Sequence, residues 1–233
     1  MDQPSLTVIV PAYNEAATIA AVIKRLSALR PPAGPVGEIV VVDDASTDGT
    51  SRILAPFAAQ GAIRLITHPR NRGKGAALRS GIAAANGTHI IFQDADLEYD
   101  PADIARLWAV AREGADIVYG SRAAGGATVL HRLANGLLSL LTRLVTGLPV
   151  SDMETCYKLV RVGLIKELDL REERFGIEPE ITLKLARIVR REGLRYAETP
   201  IAYRPRGYAE GKKIGFRDGL RALYCLMRYR SGR

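Results

Sequence analysis

Apolar residues along this chain fall into short β-branched runs separated by stretches of helical spacing. Thr7-Val8-Ile9-Val10-Pro11 reads as a strand buried on both faces, and Ile19, Val22, Ile23, Leu26 and Leu29 follow as an amphipathic helix, with Asn14 placed to cap it. Pro31, Pro32, Gly34, Pro35 and Gly37 break the chain before a second run, Glu38 to Asp43. A short helix around Ile53, Leu54 and Phe57 comes next, then a strand from Ala62 to Thr67 and a helix from Gly73 to Ala85. A strand at His89 to Phe92, a helix from Pro101 to Arg112 and a strand at Asp116 to Tyr119 complete the series. Such alternation predicts an α/β fold with a mostly parallel sheet flanked by helices. Past residue 122 the alternation stops. Residues 129–148 and 178–192 read as helices, the second with Pro179 in its first turn, and Leu194 to Tyr203 as a late strand.

Composition narrows the class. The 233 residues are 47% hydrophobic and 25% charged, enough apolar material for one packed domain and too much for a disordered chain. The two cysteines, Cys156 and Cys225, lack any metal-binding spacing and suit a reducing compartment. No basic region precedes an apolar stretch at the N-terminus, so no signal peptide is expected. The greasiest stretch, Leu133 to Val150, is interrupted by Asn135, Gly136, Arg143 and Gly147 and is too polar to span a bilayer. A net charge of +8 calls for an anionic partner, and its location is informative. From Pro200 onward nine Lys and Arg face only Glu210 and Asp218, so the preceding body is almost neutral. The expected organisation is one domain over 1–203, with a basic appendage over 204–233.

In parallel sheets ligands bind at the carboxyl ends of strands, so the polar residues there are the first candidates. Gln93-Asp94-Ala95-Asp96-Leu97-Glu98 follows the His89–Phe92 strand. Carboxylates at i and i+2 of extended chain point the same way, an arrangement that a hard divalent cation relieves by bridging to phosphate oxygens. A lone D-x-D is commonly a solvated turn; the apolar strand ahead of it and the other strand-end acids favour the cation. Asp43 and Asp44 end the second strand, where an acid commonly meets a ribose or base, while Ser46, Thr47 or Asp48 are placed to cap the next helix. The first strand ends in Pro11-Ala12-Tyr13-Asn14-Glu15, which is neither G-x-G-x-x-G nor a P-loop. Asn71-Arg72-Gly73-Lys74-Gly75 opens a helix and suits an anionic group, or is simply a solvated loop.

Taken together, VIVPAYNE (8–15), VVDDASTDGT (41–50), NRGKG (71–75), QDADLEYDP (93–101), VYGSR (118–122), SDMETCYK (151–158), RFGIEPEI (174–181) and RGYAEGKK (206–213) resemble the family 2 glycosyltransferases, in the polyprenyl-phosphate or dolichyl-phosphate sugar synthase-like branch. The resemblance implies a GT-A fold with a Rossmann-like sheet, a nucleotide-sugar half over 1–122 and an acceptor half over 123–203. It implies inverting transfer from a nucleotide-diphospho-sugar to a polyprenyl phosphate. By position, Pro11, Tyr13 and Glu15 would lie along the nucleotide, Asp44 near its base or ribose and Lys74 near its anionic part. Asp94 and Asp96 would hold Mg²⁺ or Mn²⁺, with Glu98 as third ligand where close relatives often carry Gln. Arg122, His131 and Arg132 would face the acceptor phosphate, and Arg206 and Lys212 would close over the diphosphate. Many members also carry C-terminal transmembrane helices, and none is legible here up to Arg233.

An acceptor phosphate is already anionic at neutral pH and needs an arginine more than a base. A sugar hydroxyl would need a carboxylate, for which Asp152 and Glu154 are the candidates, unless they are ion-paired to Lys158 or Arg161. The apolar helix from Leu133 to Val145 and a C-terminal helix bearing Phe216, Leu220, Leu223, Tyr224 and Met227 beside Arg217, Arg221, Arg228 and Arg230 suit a membrane interface. Peripheral attachment to the cytoplasmic face of a membrane is therefore expected. A transferase with a soluble acceptor is the alternative. A nucleic-acid-binding protein using the basic tail and its tyrosines is a third reading, but it leaves the strand-end acids unexplained, so no nucleic-acid partner is expected.

Overall fold

The computed structural model describes residues 5–31, 34–122, 129–205 and 216–230. Seven strands form one sheet, in the spatial order β3 (Arg64–Thr67), β2 (Val36–Asp43), β1 (Leu6–Ala12), β4 (His89–Phe92), β6 (Lys158–Arg161), β5 (Ile117–Arg122) and β7 (Tyr196–Ile201). The β-branched runs become β1 (Leu6–Ala12) and β2 (Val36–Asp43), which pair in parallel with Val8 beside Ile39 and Ala12 beside Asp43. Strands β3 (Arg64–Thr67) and β4 (His89–Phe92) flank them, also in parallel. Val8, Ile9, Val10, Ile39, Val41, Ile91 and Phe92 are completely buried, as continuous apolar runs must be when helices cover both faces of the sheet. Helices α1 (Ile19–Ser27), α2 (Thr50–Ala59), α3 (Lys74–Ala84) and α4 (Ile104–Arg112) connect these strands to β5 (Ile117–Arg122).

The second half departs from the expected pattern in one respect that matters. Strand β6 (Lys158–Arg161) lies between β4 and β5 and is antiparallel to both, with Lys158 beside Tyr119. An antiparallel strand starts at the edge where its parallel neighbours end. The loop leading into β6, residues 151–157, is thereby delivered to the carboxyl edge beside the ends of β4 and β5. Helix α5 (Val129–Thr146) precedes that loop, and α6 (Val162–Lys166) and α7 (Ile177–Glu192) follow β6. Strand β7 (Tyr196–Ile201) runs parallel to β5, bringing Ile201 beside Arg122 at the same edge.

Helix α7 is buried on most of its circumference, and it carries Glu178 and Glu180 into the interior in its first turn. An anion is favoured there by the unpaired N–H groups of the helix start. Glu180 accepts from the backbone N–H groups of Arg171 (2.9 Å) and Glu172 (2.8 Å) and from Lys184 Nζ (2.7 Å). Helix α8 (Phe216–Tyr229) docks by Ala222, Cys225, Leu226 and Tyr229, which bury against Leu183 with Leu138 and Leu141 alongside. Leu220, Leu223, Tyr224 and Met227 stay exposed, so the apolar stripe legible in the sequence is the outward face of the helix.

Candidate active site

Among the described residues, three non-glycine positions have positive φ: Asn14 (53°), Ala45 (60°) and Leu97 (61°). Each lies in a loop that leaves a parallel strand, β1, β2 or β4, at the carboxyl edge. A side chain in this region costs roughly 1–2 kcal/mol, so three instances at one edge mark a place where backbone strain is maintained by its surroundings.

The first two loops hold each other. The Asn14 side chain accepts from Thr47 N–H (2.8 Å), and its own N–H donates to Ser46 Oγ (3.0 Å). Glu15 N–H donates to Thr50 Oγ1 (2.9 Å) and Ala16 N–H to Asp48 Oδ2 (3.0 Å). These contacts take up Asn14, the expected cap of α1, while Asp48 Oδ1 accepts from Thr50 N–H (3.0 Å) and so caps α2 as expected. Helix α1 starts five residues beyond Asn14 with no side-chain cap, and α2 follows a left-handed Gly49. Pro11 and Tyr13 are half-buried and Glu15 is buried along this edge.

Asp44, expected near a base or ribose, is buried and spends its carboxylate inside the protein. It accepts from His68 Nδ1 (2.7 Å), Arg72 N–H (2.9 Å) and Gly73 N–H (2.7 Å). It therefore anchors the loop that opens α3. That loop needs its glycines for close packing. Gly73 has φ +94°, and a Cβ on Gly75 would come 2.2 Å from the Glu172 carbonyl oxygen. Three arginines (Arg70, Arg72 and Arg174), with Asn71 and Glu173, line a cavity of about 440 Å³ beside it.

Lys74 does not point at an open anion site. Its Nζ lies 2.8 Å from Asp94 Oδ1 and 3.1 Å from Glu178 Oε1, with the side chain only 14% exposed. Burial alone would lower its pKa, but Asp94, Cys156 and Glu178 raise it well above the ordinary lysine range. Burial likewise works against ionised Asp94, yet Lys74 holds that carboxyl below its usual range. Glu178 also binds Lys158, at 2.5 Å. The completely buried Lys158 ammonium donates in addition to the Thr155 carbonyl.

The chain after β4 is a turn rather than extended strand, which alters the expected three-carboxylate arrangement. Asp94 turns to Lys74, Asp96 Oδ1 accepts from Glu98 N–H (3.1 Å), and Glu98 Oε2 accepts from Tyr203 OH (2.9 Å). Among the described residues no three His, Cys, Asp or Glu side chains gather so as to hold an ion. Asp94 and Asp96 nevertheless supply hard oxygen donors. That set fits a Mg²⁺ or Mn²⁺ ion that takes its remaining ligands from diphosphate and water, and does not fit an all-protein cage.

Across the edge, Arg122 ends β5 and meets Asp152. Its Nε and Nη2 donate to the two carboxylate oxygens at 2.6 and 2.7 Å, and its N–H adds a third bond at 3.1 Å. The guanidinium lies over the Tyr203 ring, 4.9 Å from its centroid. Asn135 of α5 donates to Asp152 Oδ1 at 3.0 Å. Burial pushes the Asp152 carboxyl up, but Arg122 and Asn135 outweigh it and hold it below the usual range. A carboxylate so engaged is a poor proton acceptor, and its ion pair is with Arg122 rather than Lys158 or Arg161. Asp152 thus positions Arg122. Glu154 behaves oppositely: burial, then Glu178, pushes its carboxyl up to about 7 against the pull of Lys158 and Arg122.

The side chains of His131 and Arg132, and residues Arg206 and Lys212, lie outside what the structure describes. Asn135, Lys158 and Glu178 were not singled out in the sequence. A lysine inside a four-residue strand and a glutamate beside a helix-start proline are the only local signals, and both are weak.

The sheet, the strained strand-end loops and the facing acids and arginine define a glycosyltransferase of the GT-A type. Residues 7–169 match the family described as Glycosyl transferase family 2, and the chain belongs to it. The undecaprenyl-phosphate 4-deoxy-4-formamido-L-arabinose transferase of Aeromonas hydrophila subsp. hydrophila is 28% identical over 224 residues, covering 95% of this chain and 66% of that protein. The protein of the same name from Edwardsiella ictaluri is 30% identical, with the same coverage. This chain thus spans just under two thirds of those relatives. Among solved structures, glucosyl-3-phosphoglycerate synthase from Mycobacterium tuberculosis, in complex with Mn²⁺, UDP and glucosyl-3-phosphoglycerate, is similar at a TM-score of 0.72 and 25% identity, covering 97% of this chain and 80% of that one. The same synthase with Mg²⁺ and UDP gives 0.70.

Proposed function

We propose that this chain moves a sugar, with inversion, from a nucleotide-diphospho-sugar to a polyprenyl phosphate at a membrane surface. One observation supports the reading: helix α5 joins a polar inner side at the Arg122 ion pair to an exposed apolar face. Its inner side places Asn135 on Asp152, which holds Arg122, while Leu133, Leu137, Leu140 and Leu144 on the same helix are more than half exposed. A phosphate at Arg122 would thus have its hydrocarbon tail beside an apolar surface that α8 extends with Leu220 and Met227. No helix among the described residues is long and apolar enough to cross a membrane; the exposed apolar faces and the lysines and arginines after Pro200 suit contact with a membrane surface.

A divalent cation at Asp94 and Asp96, when bound, neutralises the charge that develops on the leaving nucleoside diphosphate. The chain's own residues do the rest. Arg122 draws an acceptor anion toward an anionic donor. The acceptor phosphate oxygen bonds to the anomeric carbon as that carbon's bond to the diphosphate oxygen breaks, and no proton has to move. Lys74 and Lys158 balance the carboxylates beneath the site.

The test is transfer from a panel of labelled nucleotide sugars, with Mg²⁺ or Mn²⁺, to a short polyprenyl phosphate. Label in the lipid fraction is expected, and its absence with every donor would sink the reading. A soluble acceptor is the second reading, favoured by the likeness to a synthase whose product is glucosyl-3-phosphoglycerate. An arm with 3-phosphoglycerate as acceptor distinguishes the two.

A further inference from the structure

Glu154 lies two residues beyond Asp152 in the loop that leads into β6. The charged groups that act on it are Glu178 of α7, Lys158 of β6, Arg122 of β5 and Asp152 of its own loop. Its Oε1 is buried and has no hydrogen-bond partner among the described residues. The charge around it is already balanced. Lys74 and Lys158 match Asp94 and Glu178, and Arg122 matches Asp152, so an ionised Glu154 would leave one half-buried negative charge without a counterion. A carboxyl in that position is more stable holding its proton.

We propose that Glu154 meets the acceptor as a neutral carboxyl, donating its proton in a hydrogen bond to the phosphate held by Arg122, and that its ionisation repels the acceptor. The inference rests on the phosphate-acceptor reading and adds a residue to it. It also explains how a carboxyl can sit beside an anionic substrate: protonated, it is a donor, as in sites where an apolar setting keeps an acid neutral near pH 7. The elevated pKa agrees with this arrangement, since burial and Glu178 place it at about 7. Burial pushes Cys156, Tyr99 and Tyr203 well above it, and Asp152 is held below it. The second ionisation of a phosphate monoester falls near pH 6, so above pH 7 the acceptor keeps one charge state.

The experiment measures KM for a short-chain polyprenyl phosphate, and kcat, between pH 6.5 and 9 for the full chain and for Glu154→Gln. In the wild type KM should rise above pH 7, approaching tenfold per pH unit, while kcat changes less. Gln donates through its amide at every pH, so the variant should flatten the KM profile, and Glu154→Ala should raise KM throughout. Matching thermal melts establish that both variants fold. The inference is overturned if Glu154→Gln keeps the wild-type profile, or if kcat rises with pH in the wild type and that rise disappears in the variant, which is the signature of a general base. A wild type that transfers to no polyprenyl phosphate instead overturns the acceptor reading itself.

Discussion

The Lys74 ammonium, 2.8 Å from the Asp94 carboxylate, ties the first turn of α3 to the end of β4. A third group, Glu178 at 3.1 Å, joins the start of α7 to the same point. One cation therefore assembles three elements that are 20 to 104 residues apart in the chain. Removing it should be felt as stability as well as activity. Lys74→Met leaves Asp94 without its counterion and Glu178 with Lys158 alone, and a destabilisation of about 3 kcal/mol is expected in urea unfolding. A loss under 1 kcal/mol would show that the bridge is not structural.

Asp96→Asn keeps the size and the Glu98 N–H contact but removes a charge from the proposed cation site. Turnover should lose its dependence on added Mg²⁺ or Mn²⁺ and fall by at least ~100-fold, the scale of lost charge stabilisation at such sites. Full activity in this variant would dispose of the cation assignment.

Asp152→Asn separates positioning from base catalysis. Because Asp152 holds Arg122 by two short bonds, the variant should raise the acceptor KM by about tenfold or more while kcat falls less. A collapse of kcat at unchanged KM would instead make Asp152 the base. The same pair has a pH signature in folding. A carboxyl depressed in the folded state stabilises it fully above the unfolded pKa near 4, and that stability is lost as pH falls through the lower folded value. Asp94 and Glu172 are depressed as well, so melting temperature should drop below pH 4, and less steeply in Asp152→Asn.

Leu144 is 74% exposed and Met227 67%, on neighbouring helices. Replacing both by Glu touches no core and should change stability by under ~1 kcal/mol. Binding to phosphatidylglycerol vesicles, measured by co-sedimentation, should nevertheless fall at least tenfold. Unchanged binding would remove these faces from the membrane contact.

The first half of this fold is readable from local pattern because burial on both sides of a strand demands an unbroken β-branched run. Thr7 to Pro11, Glu38 to Asp43 and His89 to Phe92 each meet that demand, and the polar residues after them mark the ligand edge. The resemblance of eight ordered segments led to the family that residues 7–169 match. Strand β6 escaped notice because Lys158-Leu159-Val160-Arg161 is four residues long and begins with a charge. Its burial is possible only because Glu178, twenty residues on, supplies the countercharge.

The same distinction runs through the site. Asp44 and Asp94 could be chosen from residue type and strand-end position, Lys74 from its place among glycines at a helix start, Asp152 as a carboxylate after the apolar helix, and Arg122 from the family resemblance. Which charge meets which could not, since Arg122 and Asp152 are thirty residues apart and Lys74 and Glu178 more than a hundred. Hydrophobic periodicity is a short-range code, set by the repeat of a strand or helix. Ion pairing and proton affinity depend on distance and burial in three dimensions, and only the folded sheet, with β6 turned against its neighbours, sets those.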